Sequence, residues 1–290
     1  MKPAAFEYHA PTSVADVTAL LSEHADEAKP LAGGQSLVPM LALRLTRFEH
    51  LIDLNRVDEL VGVRRSNGTL TVGAMTRQRA IERDAEVASA VPLLARAVPY
   101  IGHSQIRNRG TVGGSIAHAD PASELPAVAL ALAAQLESAS TEGERSVPAA
   151  EFFEGTWTTC LRDDELLVSV HFPVWDGRCG FAFEEVARRS GDFALAGVAA
   201  AVELGSDGGI QRCALGMLGM GGTPRRATAA EESVLGRVLT GPDLDEVAQL
   251  SIADLEPPDD VHATSAYRRR VGAHLTRRAL ERALQEARER

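Results

Sequence analysis

The sequence predicts an α+β chain of two domains. Three observations predict it. Strand and helix patterns alternate up to about residue 57. A hairpin, helices and further strands of one sheet fill the stretch to about residue 176. Beyond Pro173 the pattern changes to three long apolar strands followed by three helices, which reads as a separate α+β layer.

Each element has a local cause. F-E-Y-H-A is a short strand, and Ser13 is the N-cap residue of a helix reaching about His24, with Val14, Val17, Leu20 and Leu21 on one face. K-P-L-A enters a glycine loop, after which Ser36 caps a helix over L-V-P-M-L-A-L-R, with Pro39 tolerated in its first turn. H-L-I-D-L is a buried strand that ends this β-α-β-α-β unit near Arg56. Asn67-Gly68 between V-G-V-R-R-S and T-L-T-V-G-A is a strong hairpin signal. Two helical stretches follow, T-R-Q-R-A-I-E-R and V-P-L-L-A-R-A-V-P-Y, and then a loop from Gly102 to Pro121 that is long enough to be functional. A helix over about 122–134 leads to two strands of one sheet, Q-L-E-S-A-S and D-E-L-L-V-S-V-H-F-P. In the second domain, G-F-A-F-E-E-V-A-R-R, A-G-V-A-A-A-V-E-L and Q-R-C-A-L-G-M-L-G form an antiparallel meander, and helices span about 226–239, 243–253 and 263–289. The boundary is expected near 175–178.

Composition excludes several classes of function. The chain has 290 residues and a net charge of −10, which argues against general nucleic-acid binding. No apolar run approaches the length of a membrane span, and the first residues carry no signal-peptide pattern, so a cytoplasmic protein is the expectation. Cys160, Cys179 and Cys213 are scattered, which argues against an iron–sulfur cluster or structural zinc held by this chain and fits a reducing compartment.

The chemistry concentrates in two remote glycine pairs, L-A-G-G-Q-S-L at 31–37 and R-N-R-G-T-V-G-G-S-I at 107–116. Glycine permits sharp turns and a close ligand approach, and successive N–H groups in such a turn form an anion trap. Gly33 and Gly34 can aim N–H groups at a pyrophosphate, Ser36 adds a hydroxyl, and Gln35 can reach phosphate or sugar. Thr111, Gly113, Gly114 and Ser115 offer hydroxyls and main-chain donors, flanked by the positive charge of Arg107 and Arg109. Two ordinary tight turns are the alternative. G-x-G-x-x-G is absent, as is a P-loop lysine, so Rossmann-type nicotinamide binding and NTP hydrolysis lose support. His118, Asp120 and Glu124 could be imagined as a metal trio, but Pro121 breaks their helical face. A carboxylate there is better placed to accept from ribityl or ribose hydroxyls, and Asp120 is alternatively a helix cap. The Ile101 backbone, entering the long loop, is a candidate flavin contact, with His103 and Gln105 as ordinary loop residues. The arginine-rich run near the C-terminus reads as a solvated helix face, with docking of an acidic partner as the second reading.

L-A-G-G-Q-S-L-V-P-M-L-A-L-R, I-R-N-R-G-T-V-G-G-S-I-A-H-A-D-P-A-S-E-L-P and A-R-R-S-G-D-F-A-L-A-G-V-A-A together resemble the FAD-binding medium subunit of molybdenum hydroxylases of the carbon monoxide dehydrogenase and xanthine dehydrogenase type. A-T-S-A-Y-R-R-R-V extends the resemblance over nearly the whole chain. It implies a PCMH-type (vanillyl-alcohol-oxidase-like) FAD-binding domain in 1–176, with subdomains of about 1–57 and 58–176, and a C-terminal flavoprotein domain in 177–290. It implies that the FAD pyrophosphate is held by Ala32, Gly33, Gly34, Gln35 and Ser36 together with Thr111, Gly113, Gly114 and Ser115. Glu124 falls where relatives carry an acidic residue near the flavin's sugar chain, and Arg188, Arg189 and Asp192 match a stretch passing near the isoalloxazine ring. Glu184 stands where xanthine dehydrogenases carry a lysine, so their use of NAD as oxidant is not implied. The partners implied are an iron–sulfur small subunit and a molybdopterin-binding large subunit, with electrons reaching FAD and leaving to an external acceptor. No general acid or base is expected, because the flavin supplies the redox chemistry. A freestanding FAD oxidoreductase with its own substrate pocket and a scaffold subunit that binds no cofactor are the rival readings.

Overall fold

The structure, a computed structural model, describes residues 2–290, and Met1 lies outside it. The first unit runs β1 (Glu7–His9), α1 (Val14–His24), β2 (Ala28–Leu31), α2 (Leu37–Leu43) and β3 (His50–Asp53). Its strands form a parallel sheet in the order β1-β3-β2. α1 starts where expected: the Ser13 hydroxyl oxygen accepts from the Asp16 N–H at 3.1 Å. Val17 and Leu21 are buried with Ile52, Leu54, Val57 and Leu60 in a small separate core. Ser36 departs from expectation. Its backbone is already helical and its side chain makes no capping bond.

The second unit holds β4 (Val63–Ser66), β5 (Thr69–Gly73), the short helices α3 (Gln78–Arg83), α4 (Ala85–Ala90) and α5 (Pro92–Ala97), then α6 (Ser104–Arg107), α7 (Val112–His118) and α8 (Glu124–Ala131). It continues with β6 (Gln135–Ser140), β7 (Gly143–Pro148), α9 (Ala149–Phe152), the small ribbon β8 (Phe153–Gly155) and β9 (Thr158–Thr159), and β10 (Leu166–Pro173). Five strands pair antiparallel in the order β4-β5-β10-β6-β7. Asn67 and Gly68 both take positive φ, 49° and 74°, as a tight hairpin requires. The stretch from Gly102 to Pro121 is not an unstructured loop. It folds into α6 and α7, and the Thr111 hydroxyl oxygen caps α7 by accepting from the Gly114 N–H at 3.1 Å.

The last unit runs β11 (Arg178–Ala187), β12 (Ala194–Leu204), β13 (Ile210–Leu218), β14 (Arg225–Arg226), α10 (Thr228–Ser233), α11 (Gly241–Ser251) and α12 (Ser265–Glu289). The meander is as expected, but β14 pairs with β13 and adds a fourth strand. The sheet is covered on both faces. Ala196, Val198, Ala200 and Val202 of β12 pack against the C-terminal helices. Ala199 and Ala201 point the other way, into the core containing α5 and α8. This alternation is what period-2 geometry demands of a strand buried on both sides.

Two glycines permit the close packing. A Cβ on Gly180 would lie 1.8 Å from the Ala283 carbonyl oxygen of α12, and one on Gly216 would lie 2.3 Å from the Ala127 carbonyl oxygen of α8. Most C-terminal arginines lie on an exposed helix face, as expected, and several also pair within the chain. Arg268 is 4% exposed and donates to Asp260 Oδ2 and to the Leu195 carbonyl, each at 2.6 Å. Arg278 pairs with Glu184 at 3.1 Å, and Arg282 pairs with the same carboxylate. Among the described residues no helix is long and apolar enough to cross a membrane. We expect Gly180→Ala to destabilise the chain by about 1–3 kcal/mol or more, because α12 must lift off β11. Thermal denaturation followed by circular dichroism measures it, and Gly208→Ala, where an added Cβ meets nothing within 4 Å, gives the scale for a substitution at positive φ without overpacking.

Candidate functional site

The two glycine motifs, some eighty residues apart in sequence, touch. β2 delivers Ala32 and Gly33 to the edge of the parallel sheet, and Gly33 lies directly on the main chain of Arg109 and Gly110. A Cβ on Gly33 would sit 2.3 Å from the Arg109 carbonyl oxygen. A Cβ on Gly114 would lie 3.3 Å from Cβ of Ala32. Gly34, with φ of +75°, turns the chain into α2. The resulting cleft is about 360 Å³ and is lined by residues 31–35, Val38, Pro39, Asp53, Asn55 and Arg109.

The motifs contribute differently. The N–H groups of Gly33, Gly34, Gln35 and Ser36 donate to no acceptor among the described residues, so the first loop presents a run of open donors. In the second loop the donors are engaged: Val112 N–H to the Thr76 carbonyl at 3.0 Å, Gly113 N–H to the Ala74 carbonyl at 2.8 Å, and Ser115 N–H to the Thr111 carbonyl at 3.2 Å. Gly113 is needed for packing, since a Cβ there would lie 2.4 Å from Cβ of Ala74. What the second motif turns toward the first is its backbone, at Arg109, Gly110 and Gly114. Gln35 folds back, its amide donating to the Gly33 carbonyl at 3.1 Å.

A polar network beneath the loops was not anticipated. The Asn55 side-chain amide donates to the Ala32 carbonyl at 3.1 Å. Arg77 donates to Asn55 Oδ1 and to the Arg109 carbonyl, so one guanidinium joins both motifs. Asp53 accepts from Tyr8 and Asn55. Burial pushes the Asp53 carboxyl up, but those hydrogen bonds outweigh it and leave the group below the usual carboxylate range. Arg109 itself is exposed at the cleft wall. Arg107, read as a flanking positive charge, is 8% exposed and is a structural clamp: it grips Glu82 through two bonds, at 2.9 and 3.1 Å, and donates to the Ile101 carbonyl at 2.9 Å.

Glu124, the first residue of α8, is 6% exposed, and burial raises its pKa to about 7. Glu185 on β11 is its neighbour. Burial, reinforced by the charge of Glu124, raises Glu185 to about 9, and its Oε2 has no hydrogen-bond partner. Strand alternation sends the adjacent Glu184 the opposite way, to Arg278 and Arg282. Glu184 is 3% exposed and anchors α12. An orphaned, neutral carboxyl beside a second buried carboxyl fits a bound polyhydroxyl or heteroaromatic group that accepts a hydrogen bond.

The other expected residues are dispersed. Both main-chain polar groups of Ile101 are engaged, with Arg107 and with the Val98 carbonyl. Arg188 lines a separate cleft of about 390 Å³ with Tyr267 and His262, whose Nδ1 lies 3.2 Å from the guanidinium. Asp192 is exposed on the turn after β11, and neighbouring Gly191 packs against His103. His118, Asp120 and Glu124 do not converge as metal ligands. Asp120 accepts from the Ala122 N–H at 2.9 Å and from the Trp157 indole at 3.0 Å, ahead of a helix that starts later, at Glu124.

A cleft of open amides on a parallel β-α-β unit, with Arg109 of the second unit in its wall, defines a site suited to a phosphate-bearing ligand. The model for the FAD-binding domain of molybdopterin dehydrogenases matches residues 4–175, and that for the C-terminal domain of the CO dehydrogenase flavoprotein matches 181–283. The chain belongs to this family of FAD-binding medium subunits of molybdenum hydroxylases and is an oxidoreductase subunit. It is 42% identical to the caffeine dehydrogenase subunit beta of Pseudomonas sp. strain CBB1, covering 98% of this chain and 96% of that one. It is 39% identical to the 6-hydroxypseudooxynicotine dehydrogenase complex subunit alpha of Paenarthrobacter nicotinovorans, covering 99% and 97%. Carbon monoxide dehydrogenase of Hydrogenophaga pseudoflava contains a chain of the same fold, with a TM-score of 0.96 at 38% identity and 99% coverage of both.

Glu124 and Glu185 set a sign for stability against pH. Each has a folded-state pKa above the unfolded value, so each favours folding below about pH 4.5 and loses that contribution as pH rises toward 7 and 9. Glu185→Gln is expected to raise stability at pH 8 by ~1 kcal/mol or more over the native chain and to change it little at pH 5. Urea unfolding of the flavin-free chain at the two pH values measures the difference.

Proposed function

We propose that this chain is the electron-transfer subunit of a heteromeric molybdenum hydroxylase, with an iron–sulfur small subunit as donor and a molybdopterin-binding large subunit as the site of substrate oxidation. FAD, when bound, supplies the step that passes electrons from the clusters to an external acceptor. Residues 1–57 and 58–176 are read as the subdomains of a PCMH-type FAD domain and 177–290 as the C-terminal flavoprotein domain. The free thiols of Cys160, Cys179 and Cys213 suit a cytoplasmic location.

The contact of Gly33 with Arg109 and Gly110 carries this reading, because it makes one cleft of two motifs. The chain's own residues divide the binding work. The open amides of Gly33, Gly34, Gln35 and Ser36 would donate to the diphosphate, with Arg109 adding charge at the wall. Ala32 presents its carbonyl to Asn55 and so fixes the loop's orientation. Thr111, Gly113 and Gly114 hold α7 close enough for Ser115 to contribute its hydroxyl. Glu124 and Glu185 would offer the sugar chain and the ring end carboxyls that burial keeps more readily protonated. Arg188, Asp192 and Ile101 are assigned to the ring's outer surroundings. The buried ion pairs of Glu184 remove it from any encounter with a nicotinamide.

Purified alone, the chain should be yellow and release one FAD on denaturation. Gly33→Ala, which forces the motifs apart, should weaken FAD binding at least tenfold in a fluorescence titration of the flavin-free protein. Arg77→Ala should do the same by cutting the link between Asn55 and the Arg109 carbonyl. A colourless native protein, or FAD retained undiminished by folded Gly33→Ala, would overturn the reading. Co-purification with cluster-bearing and molybdenum-bearing subunits tests the assembly.

A further inference from the structure

We propose that His9, His24 and His50 form a binding site for a divalent transition-metal ion of the zinc class, separate from the glycine cleft. The trio comes from three elements. His9 ends β1, His24 is the last residue of α1, and His50 opens β3. Parallel pairing of β1 with β3 sets Glu7 opposite His50 and His9 opposite Ile52.

One ring nitrogen from each histidine lies within 4.8 Å of the others. Nε2 of His9 and Nδ1 of His50 are 3.1 Å apart, and the rings of His24 and His50 stack at 3.7 Å with 10° between planes. A tetrahedral zinc ion with Zn–N bonds of about 2.0–2.1 Å holds its nitrogens about 3.3 Å apart. The closest pair is at that spacing already, and the wider separations are within reach of side-chain torsions. Glu7 Oε2, 3.6 Å from His50 Nδ1, offers a carboxylate for the fourth position, or leaves it to water.

The electrostatics favour a cation. The free carbonyl end of α1 directs its negative pole at His24. Neutral imidazole is the form that binds metal. All three side chains are half-buried, which limits competition from water without closing the site. Imidazole donors select zinc, copper, nickel or cobalt over magnesium and calcium. The site lies at the opposite end of the sheet from the flavin loop: Ala28 pairs with His50, whereas Leu31, at the exit toward Gly33, pairs with Asp53. Three residues of strand, ~10 Å, separate those ends, so an ion here ties β1, α1 and β3 together, and zinc, having no redox chemistry, takes no part in electron transfer.

The test uses the full-length chain without a histidine tag, stripped with chelator and titrated with Zn²⁺ alone by calorimetry. One equivalent should bind saturably, a tenfold excess of Mg²⁺ should not compete, and the melting temperature should rise with zinc. His24→Gln, at a helix end, and His50→Gln should each weaken zinc binding at least tenfold while His274→Gln, on exposed α12 surface, leaves it unchanged. Circular dichroism without zinc checks that the variants fold, and His9→Gln replaces any that does not. Absence of saturable zinc binding, or binding undiminished in the folded His24 and His50 variants, overturns the proposal.

Discussion

Everything at the cleft depends on main chain meeting main chain without a side chain between. Gly33 rests on the carbonyl of Arg109, and no other residue type fits that space. The contact is sterically permitted, but sterics alone would leave two carbonyls, those of Ala32 and Arg109, crowded at one seam. Asn55 and Arg77 resolve this by donating to them. Arg77 reaches across to Asn55, so the polar layer crosses the seam between the parallel sheet and the antiparallel one. The open amides of the first loop are therefore held by a rigid support.

The second constraint is the double burial of the C-terminal sheet. β12 offers small residues, mostly alanine, to both sides, which lets α8 and α12 approach closely. The FAD domain and the C-terminal unit consequently share one core, in which Phe181, Phe183 and Leu218 sit with Leu93, Leu125 and Phe172. The carboxyls of Glu124 and Glu185 lie within this shared region, and their raised pKa values follow from its dryness.

Much of this was legible in the sequence because local signals agreed with the fold. The Ser13 cap, the Asn67-Gly68 turn and the Val17/Leu21 face each rest on near-neighbour physics, and each appears where expected. The glycine pairs were legible as chemistry, but their division of labour was not. Whether the amides of 112–115 point outward or are bonded inward depends on Thr76 and Ala74, which spacing does not reveal. Arg107 and Arg109 look alike in R-N-R-G, yet one is buried on Glu82 and the other is exposed. Glu185 was hidden for the opposite reason. In E-E-V, period 2 says that one glutamate faces inward, but only the helices on each side decide what each meets. Arg77 and Asn55 carry no motif, and their role exists only once two distant loops are in contact.

The placement of α12 bears on biogenesis. It supplies the final 25-residue helix and covers the face of β12 formed by Ala196, Val198, Ala200 and Val202. Without α12 that apolar face would lie open to water. Arg96 of α5 clasps Glu286, in the last turn of α12, at 2.6 Å. A chain lacking α12 would expose a sticky alanine-valine sheet face that quality control can recognise.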